Sequence, residues 1–139
     1  MKNITDLKTV RLSDDQNAVV ILDQTRLPAE ECYLELTSAE DIWDAIYKLK
    51  VRGAPAIGVA AAYGIYVCSR QIEAGSFDEF YTAFRRVKEY LAGSRPTAVN
   101  LVAALNRMEK VVLENASETV PALVELLHKE SLAIREEDA

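Results

Sequence analysis

The chain has 139 residues, of which 50% are hydrophobic and 27% are charged, and its formal net charge is −6. This profile is typical of one globular domain with a core of its own. It argues against a nucleic-acid-binding protein, because neutralising phosphates needs a basic stripe that the sequence lacks. No apolar run reaches the about 18 residues that cross a bilayer, so we expect no membrane partner.

No apolar segment follows the lysine near the start of the chain, so we expect no secretory signal and a cytoplasmic protein. Cys32 and Cys68 match no metal or redox spacing and are expected to be reduced, inert thiols. The only histidine, His128, lies on an amphipathic helix without a catalytic pattern around it, which predicts a structural or surface role. No phosphate-binding loop, dinucleotide fingerprint or metal-ligand cluster is found, so we expect no cofactor and no metal.

Residues 8–37 predict a small antiparallel sheet. The runs "KTVRLS", "AVVILDQ" and "CYLELT" carry alternating or β-branched residues, as strands do. A polar turn, "DDQN", separates the first two runs, and Pro28 discourages a continuous strand between the last two.

After Thr37 the hydrophobic period changes from 2 to 3.6, which predicts helices for the rest of the chain. The first helix is "AEDIWDAIYKLK", with Thr37 and Glu40 as a capping box. Its apolar stripe is expected to be Ile42, Ala45, Ile46 and Leu49. The second helix is expected to begin at Pro55, since proline suits the first helical position. It is apolar on every side through Ala56, Ala60, Ala61, Gly64 and Cys68, which predicts a central helix.

Three further helices complete the prediction. Ser76 and Glu79 form a second capping box before the third helix, and Pro96 opens the fourth. The buried faces are expected to comprise Phe77, Phe80, Tyr81, Phe84 and Val87, then Leu101, Leu105, Met108 and Val112, then Val120, Leu123, Val124, Leu127 and Ile134. The acidic residues of the final "IREEDA" are interpreted as a solvated tail. The sequence thus predicts a mainly α domain over residues 1–139, with a three-stranded sheet (8–37) followed by a five-helix bundle (38–139).

The starts of the second and fourth helices share one pattern, an arginine followed by a proline, in "VRGAPAIG" and "GSRPTAVN". A helix N-terminus exposes about four unpaired N–H groups and carries about half a positive charge, so it attracts anions and repels cations. Arg52 and Arg95 would suit these positions if each holds an anion against the helix end. Gly53 would let the backbone approach that anion closely. The alternative, that each arginine pairs with a surface carboxylate, stays open on these observations.

At "VRGAPAIGVAAAYG" and "SRPTAVNL" the sequence resembles the methylthioribose-1-phosphate isomerases of methionine salvage, a family related to the alpha, beta and delta subunits of eukaryotic initiation factor 2B. The resemblance covers essentially the whole chain. It implies that this chain is the N-terminal domain of a two-domain fold whose Rossmann-like second domain is absent here. It also implies that the phosphate and sugar contacts fall on Arg52, Gly53, Ala54 and Arg95.

The reaction implied by the resemblance is the isomerisation of 5-methylthioribose 1-phosphate to 5-methylthioribulose 1-phosphate. The family's catalytic cysteine and aspartate lie in the second domain, so no catalytic residue is expected in this chain. Isomerases of ribose 1,5-bisphosphate or 5-deoxyribose 1-phosphate are alternatives. Two further alternatives are a non-catalytic regulatory or assembly module, like the initiation-factor subunits, and a structural fragment without a function of its own.

Two structural expectations follow for the chain. We expect the N-termini of the helices that begin near Pro55 and Pro96 to lie on one side of the bundle, so that Arg52 and Arg95 can reach one phosphate. We also expect self-association through the apolar face that the second domain would cover in the full-length family.

Overall fold

The computed structural model describes residues 10–22, 33–48, 54–95 and 97–138. It contains strands β1 (Val10–Leu12), β2 (Val19–Leu22) and β3 (Tyr33–Leu36) and helices α1 (Ala39–Tyr47), α2 (Ala54–Arg70), α3 (Phe77–Ala92), α4 (Val99–Glu114) and α5 (Val120–Asp138). The predicted mainly α fold is therefore confirmed. Predictions that involve the following residues lie outside this description: Pro28, Cys32, Leu49, Arg52, Gly53 and Pro96. The assignment of residues 1–139 to one domain, divided at 37, stays a prediction.

The strands form an antiparallel sheet in the order β1-β2-β3, as the alternating residues predict. Val19 lies opposite Leu12 on one side and Leu36 on the other. All four residues of β2 are buried, whereas β3 alternates between exposed and buried positions. The sheet therefore packs its middle strand into the core and leaves its edges partly in solvent.

Helix α2 is the centre of the bundle and contacts the other four helices as well as β1 and β2. Its residues from Ile57 to Cys68 are buried all round, which confirms the prediction from its uncharged sequence. Small residues make this possible. A Cβ atom added at Gly64 would lie 3.0 Å from side-chain atoms of Ile42, so the glycine lets α1 pack directly on α2.

The predicted inner faces of α3 and α4 are confirmed, with Phe80, Phe84, Leu101, Leu105, Met108 and Val112 fully buried. On α5, Leu123, Leu127 and Ile134 are buried, and Val120 and Val124 are partly buried against the core. The hydrophobic period of 3.6 thus identified the core of each helix correctly.

Helices α2 and α5 run antiparallel. The rings of Tyr66 and His128 stack with their centroids 5.0 Å apart, and the positive charge of Arg135 lies close enough to Tyr63 to act on the pKa of its hydroxyl, so later residues of α5 meet earlier residues of α2. The C-terminal end of α5 therefore lies toward the N-terminal end of α2. The His128 stack also agrees with the predicted structural role of this histidine.

The first capping box lies one residue later than predicted. Ser38, not Thr37, is the N-cap of α1, and its hydroxyl accepts from the N–H of Asp41. The Asp41 carboxylate in turn accepts from the Thr37 N–H at 3.3 Å, so Asp41 takes the place predicted for Glu40. Both Thr37 and Ser38 are good N-caps, and local sequence alone does not choose between them. The box at Ser76 and Glu79 is confirmed.

Glu136 and Glu137 are exposed to solvent, as predicted, but the prediction that the acidic C-terminal residues form a tail is wrong. Helix α5 continues to Asp138, and the Glu137 carboxylate receives two hydrogen bonds from the Arg107 guanidinium, at 2.7 and 2.6 Å. Arg107 also donates to Glu130. This pairing between α4 and α5 holds the last turn of α5 in place, which explains why the helix does not end where its apolar stripe ends.

Candidate functional site

The first turns of α2 and α4 lie against each other. A Cβ atom added at Gly58, one turn into α2, would stand 3.3 Å from the carbonyl oxygen of Asn100, the second residue of α4. The helices themselves therefore start on one side of the bundle, as the sequence analysis predicted. Two helix N-termini side by side bring two positive dipole ends to the same place.

Helix α4 begins at Val99 and not at Pro96, so the predicted start of this helix is wrong by three residues. The N–H of Ala98 donates to the carbonyl of Arg95 at 2.9 Å and closes a tight turn before the helix. Ala98 is the N-cap, and it has no side-chain acceptor to offer. Within the described residues, no hydrogen bond runs from the N–H groups of Val99, Asn100 and Leu101 to a protein atom. Val99 and Asn100 are exposed, whereas Leu101 is buried.

The N-termini of α1, α3 and α5 are capped by side chains. Ser38, Ser76 and Thr119 each accept a hydrogen bond from a backbone N–H of the first turn of α1, α3 and α5. The first turns of α1 and α3 also carry acidic residues, whereas those of α2, α4 and α5 carry none. The start of α4 is therefore both uncapped and free of negative charge, which suits an anion.

Arg95 lies at the beginning of the turn that leads into α4 and is partly buried. Among the residues that the structure describes, no carboxylate pairs with its guanidinium. The surface ion pair that the sequence left open for Arg95 is therefore not found there. Of the other predicted contacts, Ala54 is the first residue of α2, and Arg52 and Gly53 lie outside the described residues. Their contact with a ligand stays a prediction.

The first turn of α4 and the arginine before it offer N–H donors and a positive charge. Cys68 lies near the opposite end of α2, and burial raises the pKa of its thiol to about 12. It is therefore protonated near neutral pH and is no nucleophile, as predicted. The uncapped start of α4 and the positive charge of Arg95 are features that suit an anion.

No helix in the described ranges is long and apolar enough to cross a membrane. The same ranges contain no group of three or more histidine, cysteine, aspartate or glutamate side chains that could hold a metal ion.

The similarity of the chain to known proteins identifies its family. Residues 50–138 match the Initiation factor 2 subunit family, and this chain belongs to that family. The methylthioribose-1-phosphate isomerase of Parabacteroides distasonis is 65% identical over 130 residues, which cover 94% of this chain and 39% of that protein. The 5-deoxyribose 1-phosphate isomerase of Petrotoga mobilis is 48% identical over 129 residues, covering 93% of this chain and 37% of that protein.

Solved structures agree with the fold. The 5-methylthioribose 1-phosphate isomerase of Pyrococcus horikoshii superposes with a TM-score of 0.88 at 35% identity, over 93% of this chain and 36% of that one. The delta subunit of translation initiation factor eIF-2B from A. fulgidus gives a TM-score of 0.84 at 36% identity, with the same coverage. The fold is thus common to isomerases and initiation-factor subunits. The chain spans less than two fifths of the length of these relatives.

Sequence reasoning missed two residues of this site. The first is Ala98, the N-cap of α4, which was missed because the helix was expected to begin at Pro96. The contact of Gly58 with α4 joins residues that are far apart in sequence. The weak signal available for it was a glycine inside an apolar helix, where glycine costs about 1 kcal/mol relative to alanine and usually has a packing reason.

Proposed function

We propose that this chain binds the phosphate group of a pentose 1-phosphate between the N-termini of α2 and α4, as the substrate-anchoring part of a sugar-phosphate isomerase. The substrate is proposed to be 5-methylthioribose 1-phosphate, in methionine salvage. Arg52, Gly53, Ala54 and Arg95 are the proposed contacts. The observation that carries the proposal is the uncapped start of α4, next to the start of α2 and to an arginine without a described partner.

The names of the relatives support the same chemistry. Those with the highest identities given above are isomerases of 5-methylthioribose or 5-deoxyribose 1-phosphate. Both names describe a pentose with phosphate on C1, so the phosphate is what the two substrates share. A site made of N–H groups and arginine suits that shared group, because helix ends and guanidinium groups are strong phosphate binders.

The proposed task of the chain is orientation. Phosphate on C1 blocks the free aldehyde that ordinary aldose–ketose isomerisation uses, so the ring must open and hydrogen must pass from C2 to C1. Fixing the non-reacting phosphate holds C1 and C2 in place for that transfer. The acid and base are proposed to belong to the part of the longer relatives that this chain does not span.

A titration of the ¹⁵N-labelled chain with inorganic phosphate tests the proposal. We expect the amide resonances of Val99, Asn100 and Leu101 to move together and to saturate. Arg95→Gln should weaken binding at least fivefold. Arg86→Gln, which removes the same charge from an exposed position of α3, is the matched control and should leave it unchanged. Equal effects of the two variants would contradict a site at α4.

A regulatory or assembly module is the second candidate, and the similarity to the initiation-factor delta subunit favours it. Such a module has no need for a phosphate site at both helix starts. Saturable phosphate binding that depends on Arg95 would favour the isomerase part, and its absence would favour the module.

A further inference from the structure

At Gly58 the backbones of α2 and α4 approach each other closely. This glycine is buried in the first turns of α2, and an added Cβ would lie 3.3 Å from the Asn100 carbonyl oxygen and 3.7 Å from the Asn100 Cβ. The first distance is shorter than ordinary van der Waals contact, so a side chain at position 58 would require the α4 backbone to move away by a few tenths of an ångström.

Gly64 lies less than two turns further along the same helix and provides a comparison. Its added Cβ would meet the Cδ1 and Cγ2 atoms of Ile42, both at 3.0 Å. Those atoms belong to a side chain, which can rotate or be shortened by substitution. The atom that faces Gly58 belongs to the backbone of α4, in the same turn as the free N–H groups of Val99 and Leu101. Relieving a contact there requires the two helix backbones to move apart.

We infer that Gly58 is a positioning residue that sets the spacing between the N-terminus of α2 and that of α4, and thereby the affinity for phosphate. The inference rests on the proposed function, because the spacing matters only if one anion contacts both helix ends. A hydrogen bond to phosphate is made at about 2.7–3.2 Å and weakens steeply outside that range. A shift of α4 by a few tenths of an ångström therefore lengthens its contacts while those of α2 stay in place.

Two alanine substitutions in α2 separate this role from ordinary packing. Gly58→Ala and Gly64→Ala make the same chemical change in the same helix and gain the same helix propensity. We expect Gly58→Ala to raise the dissociation constant for inorganic phosphate about three- to tenfold in the ¹⁵N titration. We expect Gly64→Ala to leave that constant within twofold, although it lowers the thermal unfolding temperature through the contact with Ile42.

The outcomes of this comparison test the positioning role of Gly58 separately from the proposed phosphate binding. If the wild-type chain binds phosphate and Gly58→Ala binds it equally well, or if both variants are weakened alike, the positioning role of Gly58 is wrong. If the wild-type amides of α4 do not respond to phosphate at all, the proposed function itself fails. If Gly58→Ala does not fold, the glycine is a requirement of folding, and its assignment as a positioning residue is overturned.

Discussion

The hydroxyl of Tyr66 in α2 donates a 2.6 Å hydrogen bond to Oε1 of Gln16, in the turn between β1 and β2. Gln16 has a positive φ of 61°, a conformation that costs energy for a residue with a side chain. Arg70, one turn further along α2, donates to the Asp15 carbonyl and to Oδ1 of Asn17 in the same turn. The sheet is therefore attached to the end of α2 that lies away from the candidate site.

Tyr66→Phe tests this attachment. Loss of the hydroxyl should lower the free energy of unfolding by about 0.5–1.5 kcal/mol. Hydrogen exchange should become faster in β1 and β2, while the start of α4 should be unaffected. Tyr47→Phe, which removes an exposed hydroxyl, is the control. If Tyr66→Phe changes neither stability nor exchange, the hydrogen bond to Gln16 does not hold the turn.

The lowered pKa of the Glu109 carboxyl predicts that the stability of the fold depends on pH. The carboxylate is partly desolvated, which raises its pKa, but hydrogen bonds from Lys88 at 2.7 Å and from Tyr81 at 2.9 Å outweigh this and lower it. A carboxylate whose pKa is lowered on folding stabilises the fold above its unfolded pKa, and this contribution is lost as the pH falls through the folded pKa.

We therefore expect Glu109→Gln to lower the free energy of unfolding at pH 7 by about 1–3 kcal/mol. The difference from wild type should shrink between about pH 5 and pH 3. Urea unfolding over this range measures it. Glu114→Gln, on the exposed end of the same helix, should have a small effect at every pH. A constant difference across the range would contradict the ionic role of Glu109.

Cys68 should react slowly with thiol reagents. Burial raises the pKa of its thiol to about 12, so almost no thiolate is present at neutral pH. In a Cys32→Ser chain, which isolates Cys68, we expect labelling by a disulfide reagent to be limited by opening of the fold. Urea should accelerate it strongly. Immediate labelling of the native chain would show that the thiol is accessible and ionised.

Self-association is predicted through an exposed aromatic group. Tyr47 and Tyr90 are 59% and 42% exposed, and their rings lie 4.8 and 6.1 Å from that of Trp43. Sedimentation velocity should show association that rises with concentration. The double substitution Tyr47→Ser with Tyr90→Ser should abolish it, and Leu113→Ser, at another exposed apolar residue, should not. A monomer at all concentrations would contradict the prediction.

The elements of this fold could be predicted because each helix carries its own hydrophobic period, as with Leu101, Leu105 and Met108. Features that depend on distant contacts could not be predicted. The last turn of α5 is held by Arg107 of α4, and nothing near Glu137 in the sequence indicates that partner. Arg95 was selected from the sequence by its position before a helix, and its contact with a ligand stays a prediction. The open N-terminus of α4 depends on Ala98, and the spacing of the candidate site depends on the contact of Gly58 with Asn100.

The affinity of the proposed site is expected to be weak in this chain. Two charge-assisted arginine contacts contribute about 1.5–3 kcal/mol each, and each helix end adds about 0.3–1 kcal/mol. Association costs at least about 4 kcal/mol in lost freedom of motion. The remainder, at most about 4 kcal/mol, corresponds to millimolar binding at best.

The most direct measurement is a titration of the 139-residue chain with 5-methylthioribose 1-phosphate and, separately, with the sugar that lacks the phosphate, combined with an assay for the ketose product. We expect millimolar binding of the phosphorylated sugar at the amides of α4, no binding of the other sugar, and no product. Micromolar affinity, equal binding of both sugars, or turnover that Arg95→Gln abolishes would contradict a chain that anchors the phosphate and leaves the chemistry to other groups.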